Sequence, residues 1–264
     1  YQTIAVAVSS RFGDFEFQGL TNLAWAFATV PGTREDMALF RGLGEALLAK
    51  LEALEVQKLD ASRPGGGGAI APLACLALDV VAATWALTIT GASTSSAFAT
   101  RSRCMLARLG RALDGQSSVS AVPALSAASE LEVPPMAPEL EETVPRVVME
   151  LPDRLVLEKP PGWEVDTGEV GASAGAQLSR YLRALLPRWC YGLAADLGTN
   201  RGILHRLDVP SSGLVLAAKN YEAYYDLLLQ LNAGELARDY VVLCHGWLSP
   251  GRGEIRARIY QSLR

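Results

Sequence analysis

The segment Asp114 to Val144 splits the chain into two parts with different apolar patterns. Ser117, Ser118, Ser120, Ser126 and Ser129 stud its first half. Its second half, Glu130 to Glu142, has five acids, three prolines and no base. Such a stretch has little to bury and is expected to be an extended, disordered linker. Before it, apolar residues recur at three- and four-residue steps. After it come short apolar runs broken by turns. The expected class is α+β, with an all-α module over residues 1–113, a linker over 114–146 and a mixed-sheet domain over 147–264.

The composition is globular: half of the 264 residues are hydrophobic and a fifth are charged. A net charge of −4 gives no overall basic field. The charge is uneven, however. Residues 1–150 carry 11 Lys and Arg against 16 Asp and Glu, whereas residues 151–264 carry 13 against 12. If an RNA binds, the C-terminal part is the better candidate, through a local groove. The cysteines (Cys75, Cys104, Cys190 and Cys244) are scattered, and His205 and His245 are the two histidines, so no zinc site is expected. Unpaired cysteines in a chain of this size point to a reducing, intracellular setting. The chain starts at Tyr1 and stops at Arg264 inside a strand-like stretch, and so reads as a fragment.

In the first part, Gln18–Thr29 is expected to be a helix. Thr33 and Asp36 are placed as a capping box, and Phe40, Leu43, Leu47, Leu51 and Leu54 as one buried helix face. Arg63–Gly68 reads as a loop. Two further helices are expected over Ala71–Ile89, with Pro72 in the first turn, and over Ser96–Leu113. Ile70–Ala92 is apolar enough for a membrane span, but Asp79 near its middle, with Thr84, Thr88 and Thr90, favours a buried soluble helix. Asn22-Leu-Ala-Trp25-Ala-Phe and Ala82-Ala-Thr-Trp85-Ala-Leu, 60 residues apart, resemble two copies of one unit. They are similar to the helical pairs of octotricopeptide-type repeat proteins. That resemblance implies RNA selection by the module, and a mitochondrial or plastid location.

In the second part, strands are expected at Arg154–Glu158, Gly213–Lys219, Tyr240–Cys244 and Glu254–Tyr260. Helices are expected at Gln177–Leu186 and around Tyr224, Leu227, Leu228 and Leu231. The chemically richest block is His205-Arg206-Leu207-Asp208, followed by the small-residue turn Ser211-Ser212-Gly213. Read alone, Asp208 is either a reactive carboxylate or the cap of that turn. Arg206 is either a substrate contact or the structural partner of Asp208.

Three blocks occur in order: Val156-Leu-Glu-Lys159-Pro160-Pro161-Gly162, the His205–Gly213 block, and Arg238-Asp-Tyr240 through to Gly246. Together they resemble the RluA-type pseudouridine synthases. The resemblance implies isomerisation of uridine to pseudouridine in RNA, tRNA or rRNA, with no metal and no organic cofactor. It implies Asp208 as the catalytic carboxylate, Arg206 filling the space left by a flipped base, and Tyr240 against the uracil. His205, Lys159 and Arg238 are expected on the substrate side, with His205 and His245 also open to purely structural roles. The family's later Gly-Arg-x-His-Gln block has no match here, so the catalytic domain is expected to be incomplete. Two other readings remain: an RNA-binding protein without catalysis, and a helical scaffold that binds protein.

Overall fold

A computed structural model describes residues 2–54, 70–116, 144–165, 176–186, 191–247, 251 and 253–254. The Arg63–Gly68 loop, nearly all of the linker, Cys190 and the strand expected at Glu254–Tyr260 lie outside the described residues, apart from Glu254 itself. Helices α1 (Gln2–Ser9), α2 (Phe17–Thr29), α3 (Met37–Ala53), α4 (Ile70–Ile89) and α5 (Ser95–Gln116) come first. They are followed by strands β1 (Arg146–Glu150) and β2 (Arg154–Lys159), helix α6 (Leu178–Leu185), strand β3 (Gly213–Ala218) and helix α7 (Tyr221–Asn232). The architecture is α+β.

The helices form where apolar spacing required them. Phe40, Leu43, Leu47 and Leu51 bury one face of α3, and Leu54 packs partly buried just past its end. The start of α3 differs from expectation: Asp36 is itself the N-cap, accepting from Leu39 N at 3.0 Å. The Thr33 hydroxyl instead donates to the carbonyls of Phe27 and Val30 in the preceding turn. An Asp side chain reaches the third amide of a helix directly, so it needs no upstream partner. Helix α4 is long and apolar enough to cross a membrane by length and composition. Here Leu73, Ala77, Val80, Ala83 and Leu87 are buried among the other helices. Thr84 donates to the Val80 carbonyl and also to Ser102 on α5, at 3.1 Å.

Among the described residues the sheet has the order β1-β2-β3 and both pairings are antiparallel, where a mixed sheet was expected; one isolated parallel bridge joins Glu164 and Gln177 outside it. Tyr240–Cys244 is not a strand. The edge of β3 away from β2 is met instead by the segment Ile203–His205. Ile203 bridges Ala217, and Leu204 N donates to the Leu216 carbonyl at 3.1 Å. Val241 and Leu243 stand fully exposed. In α7 the buried set is Tyr221, Ala223, Tyr224, Tyr225, Leu227 and Leu229; Leu228 and Leu231 are only partly buried.

Helix α7 is shared between the two parts of the chain, because its buried side chains belong to the same core as α2 to α5. Gly110 of α5 makes the approach possible. A Cβ there would lie 2.4 Å from Glu222 Cα and 2.6 Å from Glu222 N. One turn on, the Asp114 carboxylate accepts from Tyr221 N at 2.8 Å and Glu222 N at 3.2 Å. Asn220 takes Ala223 N at 2.8 Å, so the exposed amides of the first turn are held from two helices. Burial raises the Asp114 carboxyl above its ordinary range, and the two amides oppose that shift.

Since any side chain at Gly110 meets backbone rather than a pliable side-chain end, Gly110→Ala is expected to destabilise the chain by about 1–3 kcal/mol. Chemical denaturation monitored by circular dichroism measures this. An unchanged midpoint would show that α5 and α7 do not pack as described.

Candidate functional site

Lys159 ends β2 on its inward face, in line with Leu155 and Leu157. It is 0% exposed. Its Nζ donates to the carbonyls of Pro160 (3.0 Å), Trp163 (2.8 Å) and Val209 (3.3 Å). Burial pushes the ammonium below its ordinary pKa, and the nearby Asp208 carboxylate pulls it back up. From the sequence, Lys159 is expected on the substrate side or solvated before the Pro-Pro-Gly turn. Its three ammonium hydrogens are instead used on three carbonyls inside the protein.

Pro161 and Gly162 then turn the chain, with Gly162 at φ 84°, the pattern of a type II turn. Gly162 N donates to the Val209 carbonyl at 2.8 Å. Val209 directly follows Asp208, so both the Lys159 ammonium and the Gly162 amide hold the turn that carries the carboxylate. Ser211 N closes that turn on the Asp208 carbonyl at 3.0 Å. The Asp208 side chain itself is exposed.

The approach to this turn is built by a residue that sequence reasoning overlooked. The Asp196 carboxylate accepts from Gly198 N (2.8 Å) and from the Tyr221 hydroxyl (2.9 Å), and its carbonyl accepts from Arg201 N (2.9 Å). Asn200 and Arg201 follow in the left-handed region at φ 49° and 55°, with Gly202 at 83°. Asn tolerates this conformation and Gly is free in it. For Arg201 it costs about 1–2 kcal/mol. Gly202 is also required by space, since a Cβ there would lie 2.5 Å from the Ala218 carbonyl. The only signal in the sequence was the density of turn residues between Asp196 and Gly202.

His205 continues the pairing with β3 through its side chain. Leu216 N donates to His205 Nε2 at 3.3 Å. An accepting Nε2 belongs to the neutral ring, so the proton sits on Nδ1, which is buried and meets no partner among the described residues. Burial lowers the His205 pKa, and the Arg238 guanidinium lowers it further. His205, Arg206 and Asn200, with Val165, Ile203 and Leu204, line a cleft of about 310 Å³.

Asp208 thus acts electrostatically on Lys159 and Arg238 on His205, and Arg206 is exposed at the cleft. The structure does not bring Tyr240 to them: that side chain is 61% exposed on the irregular segment after α7, as is His245 further along. No cluster of metal-ligating side chains occurs among the described residues.

The Asp208 carboxylate thus stands exposed on a doubly anchored turn, and Arg206 and His205 edge a cleft nearby in the chain. The family model described as RNA pseudouridylate synthase matches residues 153–262. Over residues 153–262 the chain is similar to the RNA pseudouridylate synthase family. The matched stretch includes Lys159, His205, Arg206, Asp208, Arg238 and Tyr240.

The chain is 34% identical over 126 residues to the ribosomal large subunit pseudouridine synthase D of Buchnera aphidicola, covering 46% of this chain and 38% of that one. It is 36% identical over 108 residues to an uncharacterized RNA pseudouridine synthase of Bacillus subtilis, covering 40% and 34%. The ribosomal large subunit pseudouridine synthase D of Pseudomonas aeruginosa is 37% identical over 106 residues, covering 40% and 30%. The chain thus spans about a third of the length of these relatives. No solved structure matches it.

Two outcomes follow from the geometry. Lys159→Met keeps the apolar stem and removes the donors, taking the ammonium from the Pro160 and Trp163 carbonyls at about 1–3 kcal/mol each, while Val209 keeps the Gly162 amide. Thermal unfolding should show a loss of at least one such contribution; unaltered stability would exclude the buried cradle. For His205, the lowered native pKa means that the unfolded chain binds the proton more readily. The histidine's contribution to stability is therefore complete above its unfolded pKa of about 6.5 and is lost as pH falls below it. His205→Gln, which retains an acceptor but does not titrate, should flatten the stability–pH curve in that range. An equally steep curve in the variant would assign the slope to other groups.

Proposed function

We propose that this chain is the pseudouridine-forming part of an RNA-modifying isomerase, with Asp208 as its catalytic carboxylate. The observation that carries the reading is the pinning of the Val209 carbonyl by the Lys159 ammonium and the Gly162 amide. It holds the Asp208 turn in place while leaving its carboxylate open to a substrate. The family match and the names of the relatives support the same class of reaction.

The chemistry needs no electron acceptor. The C1′–N1 bond of uridine breaks, the uracil turns, and C5 bonds to C1′. One proton leaves C5 and one reaches N1, so substrate and product are isomers. A carboxylate suits the step because it can stabilise, or bond to, the electron-poor C1′ and then depart.

A uridine in a stacked or paired RNA has to leave the stack to reach Asp208. Arg206, exposed at the cleft, is suited to fill the vacated space or to grip a phosphate. Arg238 adds positive charge on the same side. Tyr240 is assigned to the uracil by the family pattern, which requires its segment to fold down once RNA is bound. The substrate is a structured RNA, tRNA or rRNA, and the helices before the catalytic part contribute to its selection.

The test is Asp208→Ala and Asp208→Asn in the full chain, assayed by tritium release from 5-tritiated uridine RNA, with RNA affinity measured in parallel. Both variants should release no tritium and bind RNA about as well as the parent. Turnover by either variant would remove Asp208 from the mechanism. Equal inactivity of parent and variants, with RNA binding intact, would favour a binding protein without catalysis.

A further inference from the structure

Helix α5 differs in charge from the rest of a chain whose net charge is −4. It carries Arg101, Arg103, Arg108 and Arg111, and its one acid, Asp114, is used on the amides of α7. The four arginines divide into two pairs. Arg103 pairs with Glu235 and Arg111 with Glu222, both acids belonging to α7 or the turn after it. Arg101 and Arg108 have no carboxylate partner among the described residues.

Helical geometry explains the division. Gly110, Asp114 and Arg103 mark the side of α5 that faces α7. Arg101 and Arg108 are seven residues apart, which places them within about 20° of one line on the helix and roughly 10 Å apart along it. That line lies well around the helix from Gly110. Arg108 is exposed and Arg101 is half-buried. The Nε of Arg101 is buried and meets no acceptor among the described residues. That buried N–H is closed to solvent, so an oxyanion at Arg101 would be met by the outer nitrogens of its guanidinium. A planar guanidinium is well matched to a phosphate, which it can bind through two N–H groups.

We infer that Arg101 and Arg108 form a phosphate-binding track for the backbone of the same RNA whose uridine enters the Asp208 site. The inference rests on the RNA-modifying reading above. Its position sets its role. The C-terminal end of α5 touches the first residues of α7, which follow β3 after two residues. The other end of β3 is Gly213, beside the Asp208 turn. A strand of that length spans about 17–20 Å, so the track meets RNA flanking the modified uridine, not the uridine itself. It raises affinity without taking part in bond making. Because α5 and α7 interlock at Gly110, track and turn are presented at a fixed separation.

The probe is a fluorescein-labelled ribosomal RNA fragment, followed by anisotropy between about 50 and about 200 mM salt. Each phosphate contact removed should lower the slope of log affinity against log salt by about one. Arg101→Gln with Arg108→Gln should therefore lower the slope by about two, raise KM severalfold and leave kcat unchanged. The matching Lys variants should restore the slope. Arg108→Gln alone, at an exposed position, should lower it by about one with an unchanged melting temperature. An unaltered slope in Arg108→Gln and in the double variant would overturn the track. A lowered slope in a protein that releases no tritium from any RNA supports the track and overturns only the catalytic reading.

Discussion

The inward face of β2 ends in an ammonium group where a third leucine would continue the pattern. Leu155 and Leu157 drive that face into the core, and Lys159 follows them with its stem buried. A cation in that position is tolerable only if every hydrogen finds an oxygen. The oxygens come from the Pro-Pro-Gly corner and from Val209, fifty residues away in sequence. Satisfying one buried charge thus fixes two loops against each other, and one of them carries Asp208. The three-stranded sheet, the paired approach of Ile203 to His205 and the closed Asp208–Ser211 turn all converge on the same few ångströms.

The second organising contact is the seam between α5 and α7. It uses no large interlocking side chain. A missing side chain at Gly110 lets two backbones meet, and Asp114 replaces the hydrogen-bonding partners that the start of α7 would otherwise take from water. Tyr221 extends the connection, since its amide is held by Asp114 and its hydroxyl by Asp196. The chain of contacts therefore runs from the helical layer through one tyrosine to the loop that delivers His205. Burial among these groups pushes the Tyr224 phenol up to about 12, which keeps it neutral under ordinary conditions.

The helices were legible in the sequence because their apolar spacing is local information: α2, α4 and α5 lie within a few residues of their expected limits. The same holds for β2, β3 and α6. Contacts made across long sequence separations were not legible. Nothing near Asp114 marks it as the cap of a helix more than a hundred residues later, and nothing near Asp196 marks it as the support of the left-handed Asn200-Arg201 step. Lys159 was misplaced because its neighbours Pro-Pro-Gly suggest a surface turn. The alternation Leu155, Leu157, Lys159 held the better clue. Tyr240–Cys244 has the composition of a strand, but composition does not choose a partner, and the edge of β3 away from β2 is met by Ile203–His205. Of the candidate site, the His205–Asp208 block stood out from its own residues, and the anchoring of its turn by Lys159 and Gly162 did not.

The double use of the Val209 carbonyl has one more consequence. Gly162 is exposed and its neighbourhood is a surface corner, yet its amide proton is bonded to the residue that follows Asp208. That proton can exchange with solvent only when the corner and the turn separate. It is therefore a built-in reporter: in a nuclear magnetic resonance spectrum, one glycine amide outside the cleft registers how often the carboxylate's turn lifts away from its seat.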